Sequence, residues 1–455
     1  MHPDFVRVNY TDFDIIYAPR LDVGIKVSPG ADGDAEIAAL DLPAYEALGD
    51  PPYFVDLDSN ISLKDYDQIT LGITSKCNLR CVYCYCDGGE HDDTMENNDI
   101  MTVIEQIPKM SKKEVKITLF SDGETMVERS TLFAALARIR EIETESGKDI
   151  TVILVTNGSL INEYSIEFLK KGVNRFQVSY DGCPEAQGVN RPNALGQSSH
   201  DAVAKGIRLI EAAGIPYHLR GTVTRKTVRL ISESVRYIQN NFPRALGYHV
   251  EPATGEGRQD GLDPSVEDFC REFVKAHKIS RDLGFKLITK VNLVPKKGFC
   301  GATTGPGLYI TPNGDLTGCS RVTRKDDPLA DKYIYGSINL KTGDLHFDYD
   351  KAKKLRQATV VDAYPDCEGC FARASCAGGC SAIRDQGGHD FDCESTRILT
   401  KYLILDRYEN GECRNQVIDR ELAYKKPRVE IKFTPSQMQM AQPTGFSVSF
   451  SAANH

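Results

Sequence analysis

Three thiols fall within eight residues in the run Lys76-Cys77-Asn78-Leu79-Arg80-Cys81-Val82-Tyr83-Cys84. A closed tetrathiolate site needs a fourth sulfur at compatible spacing. Three sulfurs can hold a [4Fe–4S] cube and leave one iron open to a small molecule. An apolar run, Ile69 to Ile73, reads as a strand leading into the loop. The competing chemistry is zinc, with Cys86 as the fourth sulfur. Zinc sites usually pair Cys-x2-Cys elements, and four ligands packed into this one loop would be unusual. The simpler reading of Cys86 is a free thiol at the loop's edge.

A second cysteine set lies downstream. Cys300 is followed by thirteen residues and Gly314, then by four more and Cys319. The run Cys367-x2-Cys370-x5-Cys376-x3-Cys380 comes next, and Cys393 closes the set. Two zinc knuckles are the alternative reading of this pattern too. The segment Tyr309-Ile310-Thr311-Pro312-Asn313-Gly314-Asp315 predicts a hairpin turning at Asn-Gly, which would bring Cys300 and Cys319 together.

The first loop resembles the hallmark of the radical S-adenosylmethionine (SAM) enzymes, Cys-x3-Cys-x2-Cys with an aromatic residue before the last cysteine, here Tyr83. The second set resembles the SPASM extension found on part of that family. The resemblance implies a (β/α)6 partial TIM barrel followed by a cysteine-rich SPASM domain. It also implies three [4Fe–4S] clusters and SAM as cofactors. Cys77, Cys81 and Cys84 would hold the SAM-binding cluster. Cys300, Cys319 and Cys380 would hold auxiliary cluster I, and Cys367, Cys370, Cys376 and Cys393 auxiliary cluster II. Some relatives carry a further cysteine between the first two positions of the extension. This chain has none, so the nearer cluster would keep an open iron or take a ligand from elsewhere, with Cys183 and Cys413 as conceivable donors.

By the same resemblance, Glu124 occupies the acidic position of a Gly-Gly-Glu-Pro motif and would accept hydrogen bonds from the methionine ammonium. The motif here reads Asp122-Gly123-Glu124-Thr125, departing at two positions, and Gly123 still permits close backbone approach. Ser179 and Asp181 would meet the ribose hydroxyls, and Tyr83 would lie near the adenine. Asn157 is a further candidate contact, though Asn-Gly is often only a turn. Arg220 would pair with the SAM carboxylate, or else serve the surface. His218, His249 and His389 attract notice as bases without gaining a role, and Cys270 reads as a core thiol.

These residues need a scaffold. Strands are expected at Gln68–Ile73, Val115–Phe120, Ile150–Thr156, Arg175–Tyr180, Tyr217–Val223 and Tyr248–Glu251, with amphipathic stretches such as Leu132–Glu143 and Ala202–Ala213 between them. Strand–helix alternation predicts a parallel sheet with right-handed crossovers. The pattern alone fits a partial barrel or a doubly wound sheet; the resemblance favours the barrel. The cysteine loop, Ser121–Glu124, Thr156–Gly158, Ser179–Gly182 and Glu251-Pro252 then all fall at the C-terminal strand ends, where parallel sheets carry their chemistry.

The expected organisation is an N-terminal cap or partial peptide-recognition segment (1–65), a radical SAM barrel (66–290), a SPASM domain (291–413) and a C-terminal tail (414–455). In the cap, Ile15–Tyr17 and Val23–Val27 read as strands and Leu40–Leu48 as a helix. In the tail, Arg428–Phe433 and Phe446–Phe450 alternate like strands around the polar Ser436–Thr444.

The net charge of −9, with no lysine- or arginine-rich block, argues against nucleic acid as a partner. No apolar stretch approaches a membrane span, and no secretory signal is expected at Met1–Phe5. Fourteen cysteines without such a signal point to metal or redox chemistry in a reducing cytoplasm. The resemblance implies an oxidoreductase that modifies a ribosomal peptide by a thioether or carbon–carbon cross-link. Its partners would be the peptide and an electron donor such as a flavodoxin or ferredoxin. The alternatives are a dehydrogenase of a small polar molecule and a zinc-stabilised binding protein. Sulfatase maturases commonly place an Asp base after the cysteine matched by Cys319; Ser320 stands there and argues against that activity.

Overall fold

The structure is a computed structural model and describes residues 5–33, 35, 66–254, 257–259, 261–301, 307–417, 429–431 and 448–450. The expected helix Leu40–Leu48 and the polar stretch Ser436–Thr444 lie outside the described residues.

Strands β1 (Val6–Asn9), β2 (Asp14–Ala18) and β3 (Val23–Val27) form an antiparallel meander. The centre of the chain then builds β4 (Gln68–Leu71), β5 (Glu114–Leu119), β6 (Asp149–Thr156), β7 (Arg175–Ser179), β8 (Tyr217–Val223), β9 (Tyr248–Pro252) and β10 (Leu287–Ile288). Each of these pairs in parallel with the next. The order from β4 to β10 never reverses, so no doubly wound switch point exists. Right-handed crossovers in a monotonic order put every connecting helix on one face.

The burial pattern follows from that winding. Val115, Ile117 and Leu119 of β5 are buried while Lys116 and Thr118 are not, and β6 alternates likewise, burying Ile150, Val152 and Leu154. The strands are therefore covered on one face and accessible on the other. They are not apolar on both faces, unlike the strands of a sheet covered on both sides. Helix Arg129–Ser146 covers that face with Leu132, Ala135, Leu136, Ile139 and Ile142, spaced by three and four residues. Full burial of each larger aliphatic side chain contributes roughly 1.5–3 kcal/mol.

β11 (Gly307–Ile310) extends the sheet by pairing in parallel with β4. β12 (Asp315–Thr317), β13 (Ile334–Ile338) and β14 (Leu345–Phe347) follow as an antiparallel meander, giving eleven strands in one sheet. The predicted hairpin is present: Gly314 N donates to Thr311 O at 2.9 Å, and Gly314 has φ +81°. The expected boundary near residue 290 thus crosses a continuous sheet.

The tail also departs from expectation at its start. β15 (Arg414–Val417) pairs in parallel with β3, becoming the fourth strand of the N-terminal sheet. Val429–Ile431 and Val448–Phe450 pair antiparallel, as their alternation predicts. The N-terminal sheet docks on the long helix His389–Glu409: Tyr10, Phe13, Ile15 and Tyr17 share a core with Ile404 and Leu405, and Tyr10 OH donates to Lys401 O at 2.7 Å. Among the described residues no helix is long and apolar enough to cross a membrane.

Candidate active site

Parallel pairing from β4 to β9 gathers the five predicted loops on one sheet edge. The cysteine loop leaves β4 and is held from several sides. Ser121 Oγ accepts from Ile73 N at 3.0 Å and from Thr74 N at 3.3 Å. Gly123 N donates to Thr74 O at 3.1 Å and Glu124 N to Lys76 O at 2.8 Å. Arg80 N and Val82 N donate to Pro192 O and Asn190 O, at 2.7 and 3.0 Å. Arg258 N and Gln259 N donate to Cys84 O and Val82 O, at 3.1 and 2.9 Å. Backbone bonds of this kind fix a loop whatever its side chains do.

The three thiols converge. A Cβ added at Gly88 would lie 3.5 Å from Cys77 Cβ and 3.6 Å from Cys84 Sγ. Burial pushes Cys77 up to about 12, with Glu124 and the other two thiols adding to the rise. Burial pushes Cys81 up to about 11, with Arg191 pulling the other way. Gly88 N donates to Cys84 Sγ at 3.3 Å, and Arg191 Nη1 lies 3.6 Å from Cys81 Sγ. N–H groups aimed at sulfur favour the thiolate, the form a cluster requires. The donor set therefore fits an iron–sulfur cluster.

Glu124 and Asn157 are tied to the loops around the thiols. Glu124 is 2% exposed; Oε1 accepts from Thr156 Oγ1 at 2.7 Å and Met126 N at 3.0 Å, and Oε2 from Asn157 N at 2.6 Å. Oε2 keeps one lone pair for a ligand. Burial raises the Glu124 carboxyl, and the bonds from Asn157, Thr156 and Met126 oppose it. Asn157 Nδ2 donates to Asn78 Oδ1 inside the cysteine motif, at 2.9 Å, so its side chain ties the third strand's loop to the first.

Gly123 meets protein backbone: a Cβ there would sit 2.1 Å from Lys76 O. Gly123→Ala must displace the cysteine loop and should cost roughly 1–3 kcal/mol. The expected result is a lower melting temperature together with faster loss of iron on desalting; unchanged iron retention would count against the close approach.

Asp181 has a side chain with 0% exposure. It accepts from Tyr83 OH at 2.7 and 2.9 Å, Arg191 Nε at 2.9 Å and Thr222 N at 3.1 Å. The Arg191 guanidinium also lies over the Tyr83 ring, 5.3 Å from its centroid. Tyr83, Asp181 and Arg191 thus form a closed unit behind Cys81. Ser179, Arg220 and His249 sit side by side in adjacent strands, Ser179 and His249 partly accessible and Arg220 exposed. His249 Nε2 lies 2.5 Å from Glu251 Oε1. Burial works against the Glu251 charge, yet the His249 bond and Lys290 hold this carboxyl below its usual range. Burial lowers His218.

The second set divides into two groups. Cys300 and Cys380 both act on Cys319, whose thiol burial pushes up to about 12. Cys367, Cys370 and Cys393 act on Cys376, pushed by burial up to about 11. A recess has Cys376, Cys380 and Cys393 in its wall, so the two groups adjoin. Cys183 is fully buried at the start of helix Pro184–Asn190. Cys413 lies against Gly24 and Tyr408 in the N-terminal sheet. Cys270 is a buried thiol, as expected.

Sequence reasoning missed Arg191, which stands in Asn190-Arg191-Pro192 with no spacing rule to mark it. It also missed Arg321, whose guanidinium lies 4.7 Å from the Tyr85 ring centroid. Arg321 acts on both Cys86 and Cys319, linking the first loop to the second set. Tyr85 is 39% exposed, yet desolvation raises its hydroxyl strongly, as for a side chain lining a recess.

The family profile of the Radical SAM superfamily matches residues 71–229. A probable GTP 3′,8-cyclase of Methanococcus maripaludis is 33% identical over 276 residues, covering 57% of this chain and 86% of that protein. The chain belongs to the Radical SAM superfamily. Membership implies a [4Fe–4S] cluster and SAM, and the cysteine loop after β4 supplies thiols that fit the cluster. Among other radical SAM relatives, a cysteine-type anaerobic sulfatase-maturating enzyme of Clostridium perfringens is 22% identical over 355 residues, 74% of this chain and 94% of that one. Two solved structures share the fold. Native anSMEcpe with bound AdoMet has a TM-score of 0.62 at 15% identity, over 76% of this chain and 99% of that chain. Streptococcus suis SuiB bound to S-adenosylmethionine has a TM-score of 0.52 at 13% identity, over 85% and 96%.

Proposed function

We propose that this radical SAM enzyme is of the SPASM type, holds three [4Fe–4S] clusters and oxidatively cross-links a ribosomally made peptide. The observation that carries the reading is the division of the downstream thiols into a triad (Cys300, Cys319, Cys380) and a tetrad (Cys367, Cys370, Cys376, Cys393). The singly wound order from β4 to β10 suits a partial barrel. When bound, cluster and SAM together supply one-electron cleavage to a 5′-deoxyadenosyl radical, which abstracts hydrogen from carbon.

The chain's own residues hold and aim that chemistry. Cys77, Cys81 and Cys84 would ligate three irons, and Glu124 Oε2 would take an ammonium hydrogen. Arg191 and the Gly88 amide donate toward sulfur. Ser179 and Arg220 stand on the accessible sheet face, where a ribose or carboxylate would lie. Two of the solved relatives were determined with peptides, Cp18Cys on anSMEcpe and the precursor SuiA on SuiB, which supports a peptide substrate here. Ser320 in place of an Asp after Cys319 separates the reading from sulfatase maturation.

The zinc reading fits less well. Four thiolates around one zinc stand only about 4 Å apart. Among the described residues no three thiol, imidazole or carboxylate groups gather at single-ion spacing. Anaerobic protein is expected to carry about twelve iron and twelve acid-labile sulfide per chain, four of each per cube. With dithionite and SAM it should release 5′-deoxyadenosine and convert a co-encoded short peptide to a product about two hydrogens lighter. Zinc without sulfide would overturn the reading in favour of a binding protein. SAM cleavage with conversion of a small polar molecule and of no peptide would move it to a dehydrogenase.

A further inference from the structure

Cationic side chains are aimed at the sulfurs of the tetrad. Arg384 Nη2 lies 3.5 Å from Cys367 Sγ and 3.5 Å from Cys393 Sγ. Its orientation is fixed by other partners. Nε donates to Gly378 O at 2.7 Å, Asp366 takes two bonds at 3.2 and 3.0 Å, and the guanidinium lies 4.3 Å from the Tyr364 ring centroid. The charge of Arg397, one helical turn beyond Cys393, acts on Cys370 and Cys393. Lys296 acts on the fourth thiol, Cys376.

The first loop carries cations too, arranged differently. There Cys81 faces Arg191, whose charge is shared with the fully buried Asp181. Cys84 receives a neutral backbone N–H, and the charge of Arg258, paired with Glu90, also acts on it. In the tetrad, Asp366 also pairs with Arg384, but its side chain is 42% exposed against 10% for the arginine. Water therefore screens that carboxylate more than it screens the guanidinium facing sulfur.

Reduction of a cluster adds one negative charge spread over its sulfurs. Positive charge and N–H bonds at those sulfurs favour the reduced form and raise the potential. We propose that Arg384 and Arg397 set the potential of the cluster held by Cys367, Cys370, Cys376 and Cys393, so that it accepts an electron before the cluster held by Cys77, Cys81 and Cys84. This rests on the three-cluster reading above. In that reaction the substrate's carbon-centred radical is the reductant. It loses one electron to the cluster and one proton to water and becomes a closed-shell product, and the cluster is reduced by one electron.

The test is a dithionite titration of the reconstituted full chain with redox mediators, followed by EPR. Comparison with the C77A/C81A/C84A protein assigns the first-loop signal. The tetrad signal is expected to appear at higher potential than the first-loop signal. R384M/R397M should move the tetrad signal to lower potential and leave the first-loop signal in place, and R384K/R397K should restore part of the shift. Unmoved potentials in R384M/R397M, with iron near twelve per chain, would overturn the inference alone. If that double variant loses its cluster, the order of reduction in the wild type still decides, and first-loop reduction ahead of the tetrad overturns the proposal. Iron near four per chain in the wild type would instead remove the three-cluster reading, and the inference with it.

Discussion

Replacing Cys77, Cys81 and Cys84 together by alanine is expected to end SAM cleavage. Deoxyadenosine release in the presence of dithionite should fall to the level of a protein-free control, and iron should drop by about four per chain. The loss is expected to be chemical and not a failure to fold. The loop is tied by main-chain bonds to Gly123, Glu124, Asn190, Pro192, Arg258 and Gln259, none of which uses a thiol. Burial raises Cys77 and Cys81, so in metal-free protein at neutral pH both are uncharged groups that alanine replaces without stranding a charge. Circular dichroism and the melting temperature should stay close to the wild type. Deoxyadenosine release at the wild-type rate from this variant would remove the first loop from the chemistry altogether.

Arg191→Met should be the most destabilising single change in the site. Asp181 has no exposed side-chain surface, and Arg191 is its charge partner at 2.9 Å. Removing one member of a buried ion pair leaves the other uncompensated and costs about 3–5 kcal/mol. The same change strips Cys81 of its N–H donor and Tyr83 of its stacked cation. For a chain of this size the melting temperature should fall by roughly 3–5 °C. D181N/R191M removes both charges and should recover a large part of the loss, since contacting residues are energetically coupled. Additive losses in that cycle would show that the pair is not acting as a unit.

Much of the frame was legible from residue patterns. The six predicted strands match β4–β9 to within two residues at their ends, because β-branched runs bounded by turn residues mark buried parallel strands. The Asn313-Gly314 hairpin was legible because a left-handed residue after a tight turn demands glycine. The winding was not legible. The same alternation fits helices on one or both faces, and only the strand order decides between them. Nor was the union of β3 with β15 legible, since nothing in a four-residue strand names a partner nearly four hundred residues away.

The site shows the same division. Gly123 promised a close backbone approach, and the tertiary structure decides that the Lys76 carbonyl makes it. Asp181 stands in a readable motif after β7, but its bonds to Tyr83 and Arg191 are set by the fold.

What the sequence determined by itself was the kind of chemistry. Cluster ligation needs sulfur at short, fixed chain separations, so the spacing of Cys77, Cys81 and Cys84 is itself the chemical statement. What only the tertiary structure decided was the electrostatics around those sulfurs. Tyr83 meets Asp181 across 98 residues, and Arg191 meets Cys81 across 110. Such pairs come from crossover handedness and strand register, which bring distant loops to one sheet edge and seal them from water, where each charge must find its partner.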